Sequence, residues 1–138
     1  MISSRDVYFI YKALEIAKKR ESNGRVKICS FICKGNRVIS QPRINNYRKS
    51  FKGNAVIEDN TIGYHSEMRT IRDYLNCSKS FRSKGLTLYV SGVTINNNPV
   101  ISSKPCTYCM EWVLKTNIKR IVFSTRDNKS ISIKELNV

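Results

Sequence analysis

The sequence predicts an α/β fold in which helices cover both faces of a sheet of four to five strands. Two observations carry this prediction. Helical and strand periodicities alternate along the chain, and residues 86–93 (LTLYVSGV) are almost continuously apolar. A strand buried on both faces has such a composition, because neither side of it meets water. The chain of 138 residues is long enough to bury one core, so we expect a single domain over residues 1–138.

The first predicted elements are a helix and a β-hairpin. Apolar residues recur at three- and four-residue spacing over residues 5–20, which predicts an amphipathic helix, with Ser4 as its N-cap. Residues 25–41 predict a hairpin, in which residues 35–36 (Gly-Asn) form the two-residue turn. Pro42 should end the second strand of this hairpin.

A long loop and a second helix are predicted next. Residues 43–63 are rich in Asn, Gly and basic side chains, so we expect a loop there, with a short strand at residues 55–57. Helical spacing returns over residues 65–76. This helix would place His65 and Glu67 in its first turn.

The last third of the chain predicts a helix between strands. After the apolar third strand, a polar turn at residues 96–99 leads to a third helix, which Pro105 should open because its missing N–H costs nothing at the first helical position. Residues 119–125 (KRIVFST) predict a fourth strand, and residues 131–133 (ISI) a short fifth.

Two short motifs together offer one imidazole and two thiolates: HSE, which starts at His65, and PCTYC, which ends at Cys109. Zn²⁺ bound by His65, Cys106 and Cys109 would keep its fourth position open to water, as catalytic zinc sites do. Glu67 is close enough to His65 to move protons at the metal without binding it. The start of the helix that PCTYC opens should help both cysteines ionise.

A CxxC pair by itself is also typical of a redox dithiol or of half of a structural zinc site. A redox dithiol usually follows a first strand, whereas this pair comes late in the chain. A closed structural site needs a fourth ligand, and the other cysteines, Cys29, Cys33 and Cys77, lack the short spacing and are expected in the core or sheet. The catalytic interpretation uses both motifs and is favoured.

The charge balance predicts an anionic partner. The chain has 25 Lys and Arg against 10 Asp and Glu, a formal charge of +15 spread over most of its length, including the basic segment 43–52. A nucleotide or a nucleic acid would suit this field. The alternative is that the charge only keeps the surface soluble.

These motifs resemble the zinc-dependent cytidine, deoxycytidylate and tRNA-adenosine deaminase superfamily. The resemblance covers most of the chain: residues 64–71 (YHSEMRTI) are similar to the family's HAE helix start, and residues 103–125 to its PCxxC helix and following strand. The SKPC form looks most like small deaminase-like proteins of phages and large viruses. Two features depart from the family pattern. Ser66 replaces the usual alanine, and the spacing of 41 positions from His65 to Cys106 is long.

The resemblance implies a three-layer α/β/α cytidine-deaminase-like fold with a mixed sheet, and a zinc-dependent hydrolase that deaminates a nucleobase, cytosine being favoured. Zinc would lower the pKa of its bound water, and Glu67 would take that proton and deliver it to the base and the leaving amine. The implied substrate contacts are Asn46 and then Asn45 for the nucleoside, and Ser66 or Cys106 through a backbone N–H for the ring carbonyl. The charge of the basic segment, which includes Arg48 and Lys49, would bind the phosphate of a nucleotide.

Three functions remain open. The favoured one is deamination in single-stranded RNA or DNA, because +15 is more than one phosphate needs. Aromatic residues that could stack on flanking bases are Tyr47, Phe51, Tyr64 and Tyr108. The second function is deamination of a free nucleotide or nucleoside such as dCMP. The third is a zinc-containing nucleic-acid-binding protein without turnover, against which the intact Glu67 argues.

Location and assembly are also predicted. No apolar run is long enough to span a bilayer, and the N-terminus has a helical pattern where a signal peptide would be apolar. An odd number of cysteines, five, suits a reducing compartment. We expect an intracellular protein, in the cytoplasm or in a host cell, with no membrane partner. Members of the family range from monomers to closed oligomers, so the resemblance is compatible with a homo-oligomer.

Overall fold

A computed structural model describes residues 1–20, 26–47, 63–77 and 85–138. Its helices and strands alternate, as the sequence predicts. In chain order they are α1 (Ser4–Lys19), β1 (Val26–Lys34), β2 (Arg37–Val38), β3 (Arg43–Ile44), β4 (Asn46–Tyr47), β5 (Gly63–Tyr64), α2 (Ser66–Cys77), β6 (Leu86–Thr94), α3 (Thr107–Val113), β7 (Ile118–Asp127) and β8 (Ser130–Asn137).

The main sheet is mixed and has β6 at its centre. Its strand order is β2-β1-β6-β7-β8, and β3 also pairs with β1. The β1–β6 and β7–β8 pairs are antiparallel, whereas β6 and β7 are parallel. The parallel step requires a crossover, and α3 lies within it.

Helices cover both faces of this sheet. On one face α1 contributes Phe9, Ile10 and Leu14 to a core cluster that includes Tyr89 of β6. On the other face Ile71 of α2 and Val113 of α3 join a second cluster. The β6 strand is buried along almost its whole length, because each of its faces meets one of these clusters. The predicted three-layer α/β/α fold is confirmed.

The N-cap of α1 is Ser3, so the prediction of Ser4 was wrong by one residue. The Ser3 hydroxyl accepts a hydrogen bond from the backbone N–H of Asp6 at 3.3 Å, and the Asp6 carboxylate accepts one from the Ser3 N–H at 2.9 Å. This reciprocal pair is a capping box, which satisfies donors that the first turn leaves unpaired. Asp6 therefore decides which serine begins the helix.

The same Asp6 carboxylate ties α1 to the sheet. It is fully buried and accepts hydrogen bonds from the Tyr89 hydroxyl at 2.6 Å and from the Arg120 guanidinium at 2.8 and 2.6 Å. Burial alone would raise the pKa of this carboxyl, but the hydrogen bonds from Arg120 and Tyr89 hold that pKa well below its usual range. The paired carboxylate stays charged inside the fold.

The predicted hairpin is present, but its second strand is shorter than expected. Gly35 adopts a φ of 61° in the turn, a conformation that glycine reaches without a Cβ clash. Beyond Val38 the Ser40 hydroxyl accepts the Ile32 N–H at 2.8 Å, and Pro42 has no N–H to donate, so the ladder is interrupted. The chain then pairs with β1 again as β3, with Ile44 opposite Cys29.

The prediction of a loop over residues 43–63 was therefore wrong at both ends. β3 belongs to the main sheet, and β4 pairs antiparallel with β5 so that Asn46 lies opposite Tyr64. The second ladder therefore places the backbone of Asn46 beside Tyr64, the residue that precedes His65. The strand expected at residues 55–57 lies outside the described residues.

The strand predicted as the fifth, over residues 131–133, is β8 in the structure and is longer than its three-residue pattern predicted. β8 pairs with β7 over eight residue pairs, after a turn in which Asn128 has a φ of 59°. Ile131 and Ile133 pack against the α1 side of the sheet and Leu136 against the other. The pattern was weak because Lys134 and Glu135 separate these apolar residues. In the described part of the chain we find no helix that combines the length and the apolarity of a membrane span.

Candidate active site

His65 lies directly before α2, so the prediction that it belongs to the first turn was wrong by one residue. Its backbone carbonyl accepts the Arg69 N–H at 3.1 Å, as the carbonyl of an N-cap residue does. Glu67 is in the first turn, as expected. The two side chains leave the same end of α2.

Pro105 does not open α3, which begins at Thr107. Cys106 is its N-cap, with an extended backbone at φ −75° and ψ 172°. The Cys106 carbonyl accepts the Met110 N–H at 2.9 Å and so begins the helical hydrogen bonds. Cys106 and Cys109 nevertheless stand about one turn apart, because the third helical residue lies three positions after the N-cap.

The two helix starts bring an imidazole and two thiols together. Nδ1 of His65 lies 3.2 Å from Sγ of Cys109 and 3.5 Å from Sγ of Cys106. The ligand atoms of the three residues lie within 4.8 Å of one another, and the described part of the chain holds no second group of this kind. One imidazole nitrogen and two sulfurs are donors that zinc prefers. The residues present therefore fit a zinc ion, with Nδ1 as the nitrogen that faces it.

Cys109 is buried, and burial raises the pKa of its thiol, with Glu67 and Cys106 adding to the rise. At Cys109 these effects oppose the help that was expected from the start of α3. A bound cation reverses this balance, because a thiol that coordinates a metal is deprotonated.

Glu67 is held by its neighbour. The Ser66 hydroxyl donates a hydrogen bond to Oε1 of Glu67 at 2.8 Å, and the two residues are 0% and 6% exposed. Ser66 was expected to contact the substrate. Its hydroxyl instead orients the Glu67 carboxylate, and any substrate contact through its backbone N–H stays a prediction.

A cavity of about 210 Å³ opens onto Glu67 and His65. Pockets for drug-sized ligands measure roughly 300–1,000 Å³, so this space suits a single ring better than a larger molecule. Its walls come from the start of β1, the residue after β3, the start of α2 and the segment before α3. The lining residues are Val26, Ile28, Asn45, His65, Ser66, Glu67, Ser102, Ser103, Lys104 and Cys106.

Asn45 lines this cavity with its amide engaged on β1. Its Oδ1 accepts the Ile28 N–H at 2.7 Å, and its Nδ2 donates to the Val26 carbonyl at 3.0 Å. Asn45 thus holds the two apolar residues of the β1 wall in position. The backbone of Asn46 lies in β4, and its side chain lies outside the described part. Nucleoside contacts by either asparagine stay predictions.

The basic segment 43–52 is described only at its start. Arg43 forms an ion pair with Asp73 of α2, so this cation connects β3 to a helix. Arg48 and Lys49, the expected phosphate contacts, lie outside the described residues.

Among the aromatic residues expected to stack on bases, Tyr108 is the one whose side chain is described. It is 38% exposed, its hydroxyl donates to Sδ of Met68 at 3.4 Å, and its ring meets the His65 ring edge-on at 6.3 Å. Tyr108 therefore packs beside the metal ligand. The side chains of Tyr47, Phe51 and Tyr64 lie outside the description.

Sequence reasoning missed residues 102–104, which line the cavity ahead of Cys106. The Ser103 hydroxyl donates to the Val90 carbonyl at 2.9 Å and accepts the Ser124 N–H at 2.8 Å, so the segment is anchored to β6 and β7. The sequence offered one indication of their role: residues 102–104 directly precede Pro105 and Cys106.

Fold and site together define a metal-dependent enzyme class with one histidine and two cysteines at two helix starts. The model of the cytidine and deoxycytidylate deaminase zinc-binding region matches residues 3–125. The chain belongs to this family and is a zinc-dependent hydrolytic deaminase.

Two curated relatives are tRNA-specific adenosine deaminases. The protein of Buchnera aphidicola subsp. Schizaphis graminum (strain Sg) is 28% identical over 123 residues, which cover 89% of this chain and 68% of the relative. The protein of Bacillus subtilis (strain 168) is 26% identical over 126 residues, which cover 91% and 65%. This chain thus spans about two thirds of the length of each relative.

Solved structures of other deaminases share the fold. The apo dCMP deaminase of cyanophage S-TIM5 superposes with a TM-score of 0.59 at 16% identity, covering 88% of this chain and 82% of that one. The cytidine deaminase of Burkholderia pseudomallei gives 0.60 at 13% identity, covering 96% and 92%. The likeness confirms the cytidine-deaminase-like fold.

Proposed function

We propose that this protein removes the amino group of a nucleobase, cytosine in the first place, within single-stranded RNA or DNA. One observation carries the chemistry. The buried carboxylate of Glu67 borders the same cavity as His65 and Cys106, which together with Cys109 form the metal-binding group, and that cavity suits one ring.

Each residue of this group has a role in the proposed reaction. Zinc held by His65, Cys106 and Cys109 would supply an activated water as the nucleophile. Glu67 would accept one proton of the attacking water and pass it to the ring nitrogen of the base, while the water oxygen bonds to the amidine carbon. Glu67 would then take the proton of the newly formed hydroxyl and deliver it to the amine, so that the C–N bond breaks, ammonia leaves and the hydroxyl oxygen becomes the carbonyl. Ser66 keeps Oε1 of Glu67 in place throughout.

Charge supports a polynucleotide substrate. A field of +15 can neutralise several phosphates, and a strand carries one at every nucleotide. The curated relatives are named as tRNA-specific adenosine deaminases, which also supports a polynucleotide and makes adenine the second base to test. In this proposal Asn46 contacts the sugar, and Arg48 and Lys49 contact the backbone phosphates.

A free nucleotide such as dCMP is the second candidate. The small cavity favours it, because a base with one sugar and one phosphate needs no extended groove. The dCMP deaminase of cyanophage S-TIM5, solved in complex with dCMP and dUMP, has the same fold.

A mass-resolved deamination assay on the zinc-loaded protein separates these candidates. The substrates are cytidine, CMP, dCMP, adenosine and single-stranded RNA and DNA oligonucleotides. Conversion in oligonucleotides alone is the expected result. Conversion of dCMP alone would replace the polynucleotide proposal with the second candidate. No conversion of any substrate would contradict both and favour a binding protein without turnover.

Glu67→Ala is the matched control for this assay. Loss of the proton carrier should lower turnover by about two to four orders of magnitude while the zinc content stays the same. A variant that keeps more than about a hundredth of the wild-type rate would contradict the role of Glu67.

A further inference from the structure

The cavity is charged at both its depth and its mouth. Glu67, which is 6% exposed, puts a carboxylate on the buried side, whereas Lys104 lines the same cavity and is exposed. Of the lining residues, Glu67 contributes a carboxyl group and Lys104 an amino group. The cavity therefore offers a proton carrier inside and a cation at its edge.

Within the described residues the Lys104 side chain has no partner: no carboxylate lies within 4.0 Å of Nζ, and the hydrogen bond that Lys104 donates comes from its backbone N–H. Two other cations near this end of the sheet are engaged. Nζ of Lys27 donates to the Lys18 carbonyl, and Arg43 pairs with Asp73. Lys104 is thus available to an anion that enters the cavity.

The backbone that carries Lys104 is fixed. The Lys104 N–H donates to the Ser102 hydroxyl at 3.2 Å, and residue 102 forms a β-bridge with Thr125. Ser103, which is 4% exposed, bonds to the Val90 and Ser124 carbonyls at 2.9 Å. The flexible side chain of Lys104 therefore extends from a fixed point of the backbone, two residues before the metal ligand Cys106.

We propose that Lys104 binds the phosphate adjoining the base that occupies the cavity. This inference rests on the proposed function, because it takes the base to point its amino group at Glu67. Only the sugar then separates that base from its phosphate, which places the phosphate toward the mouth. A lysine ammonium binds phosphate as a compact point charge and requires no fixed geometry. Lys104 would thereby distinguish nucleotides from nucleosides.

Equilibrium binding tests this role without turnover. Zinc-loaded protein in the Glu67→Ala background is titrated with cytidine and CMP, and with adenosine and AMP. Lys104→Gln should weaken binding of the monophosphates at least about tenfold and leave the nucleosides unchanged, because a charge-assisted hydrogen bond is lost. Lys104→Arg should keep most of the affinity.

Lys34→Gln is the matched control. Lys34 is also exposed and ends β1, roughly 26 Å from Val26 at the cavity end of that strand. The Lys34→Gln substitution removes the same positive charge from the surface at a position that does not line the cavity. If it weakened the monophosphates as much as Lys104→Gln does, the effect would belong to net charge and the proposal would be overturned.

A second arm identifies the phosphate in a strand. In a single-stranded oligonucleotide with one target base, one flanking phosphate at a time is replaced by a neutral methylphosphonate. At one of the two flanking positions, the losses of binding free energy caused by the methylphosphonate and by Lys104→Gln should not be additive, which indicates that Lys104 contacts that phosphate directly. Additivity at both flanking positions, together with equal loss for nucleoside and nucleotide, would overturn the proposal. Wild-type protein that binds with this pattern but converts no substrate would contradict the proposed function alone.

Discussion

The hydroxyl of Ser66 donates a hydrogen bond of 2.8 Å to Oε1 of Glu67, its neighbour in the first turn of α2. The side chains of adjacent helix residues point about 100° apart around the helix axis and do not normally face each other. A hydrogen bond between two such side chains is therefore uncommon. Here a serine hydroxyl restricts the carboxylate that we assign to proton transfer. Alanine, which the family pattern usually has at the position of Ser66, cannot make this hydrogen bond.

Ser66→Ala should therefore lower kcat by about tenfold and leave KM and zinc content unchanged, because one hydrogen bond to a charged group is lost. Steady-state kinetics on the substrate found active, together with zinc analysis, measures this. In the Glu67→Ala background the same substitution should have no further effect. An equal loss in both backgrounds would show that Ser66 acts on the fold and not through Glu67.

Cys109→Ser should abolish stoichiometric zinc binding, because a buried hydroxyl replaces one of three ligands that can approach one ion. Metal analysis after dialysis provides the measurement. Cys33→Ala is the matched control, since Cys33 is equally buried and stands outside the metal group. Full zinc content in Cys109→Ser would mean that another donor completes the site.

Among the cysteines whose side chains the structure describes, removal of zinc should expose Cys106 to alkylation. Cys106 is exposed, whereas Cys29 and Cys33 are buried, and burial raises the pKa of each of these two thiols to about 12. At pH 7.5 we expect iodoacetamide to modify Cys106 quickly after chelation and slowly with zinc bound, with Cys29 and Cys33 inert in both states. Peptide mass spectrometry locates the label. Rapid labelling of Cys106 in the zinc-loaded protein would exclude it as a ligand.

Asp6→Asn should lower the free energy of unfolding by about 3 kcal/mol at pH 7, because Arg120 loses a buried partner. The pKa of the Asp6 carboxyl is depressed in the folded state, so its contribution is complete above about pH 4 and is lost as the pH falls toward the depressed value. Urea unfolding at pH 7, 4 and 3 should show the difference between variant and wild type shrinking only at the acid end. Asp127→Asn, at the exposed end of β7, should change stability little at any pH.

The elements that the sequence located well are those whose pattern is local. The helix of α1, the hairpin around Gly35 and the central strand β6 follow from spacing within a few residues, because side-chain periodicity records which face is buried. The first residue of α1 was predicted less well than the helix itself. Ser3 and Ser4 are both suitable caps, and the choice between them depends on Asp6, which a guanidinium 114 residues away holds in place. No local pattern contains that partner.

The extent of β8 shows the same limit. Lys134 and Glu135 interrupt its apolar alternation, yet β7 supplies backbone partners for all eight residues, and Glu135 pairs with Arg120. Pairing with a neighbouring strand overrides a weak propensity, since β preference depends on context more than on the residue itself.

The sequence by itself determined the chemistry of this protein: an imidazole, two thiols and a carboxylate in two motifs whose residue types and spacing suit zinc and proton transfer. Only the tertiary structure decided what surrounds them. It showed that the Asn45 amide is engaged on β1, that Ser66 orients Glu67, and that Lys104 lines the cavity unpaired among the described residues. The physical reason is that ligand types are properties of single residues, whereas a cavity is formed by segments that meet through sheet pairing and packing across distant parts of the chain.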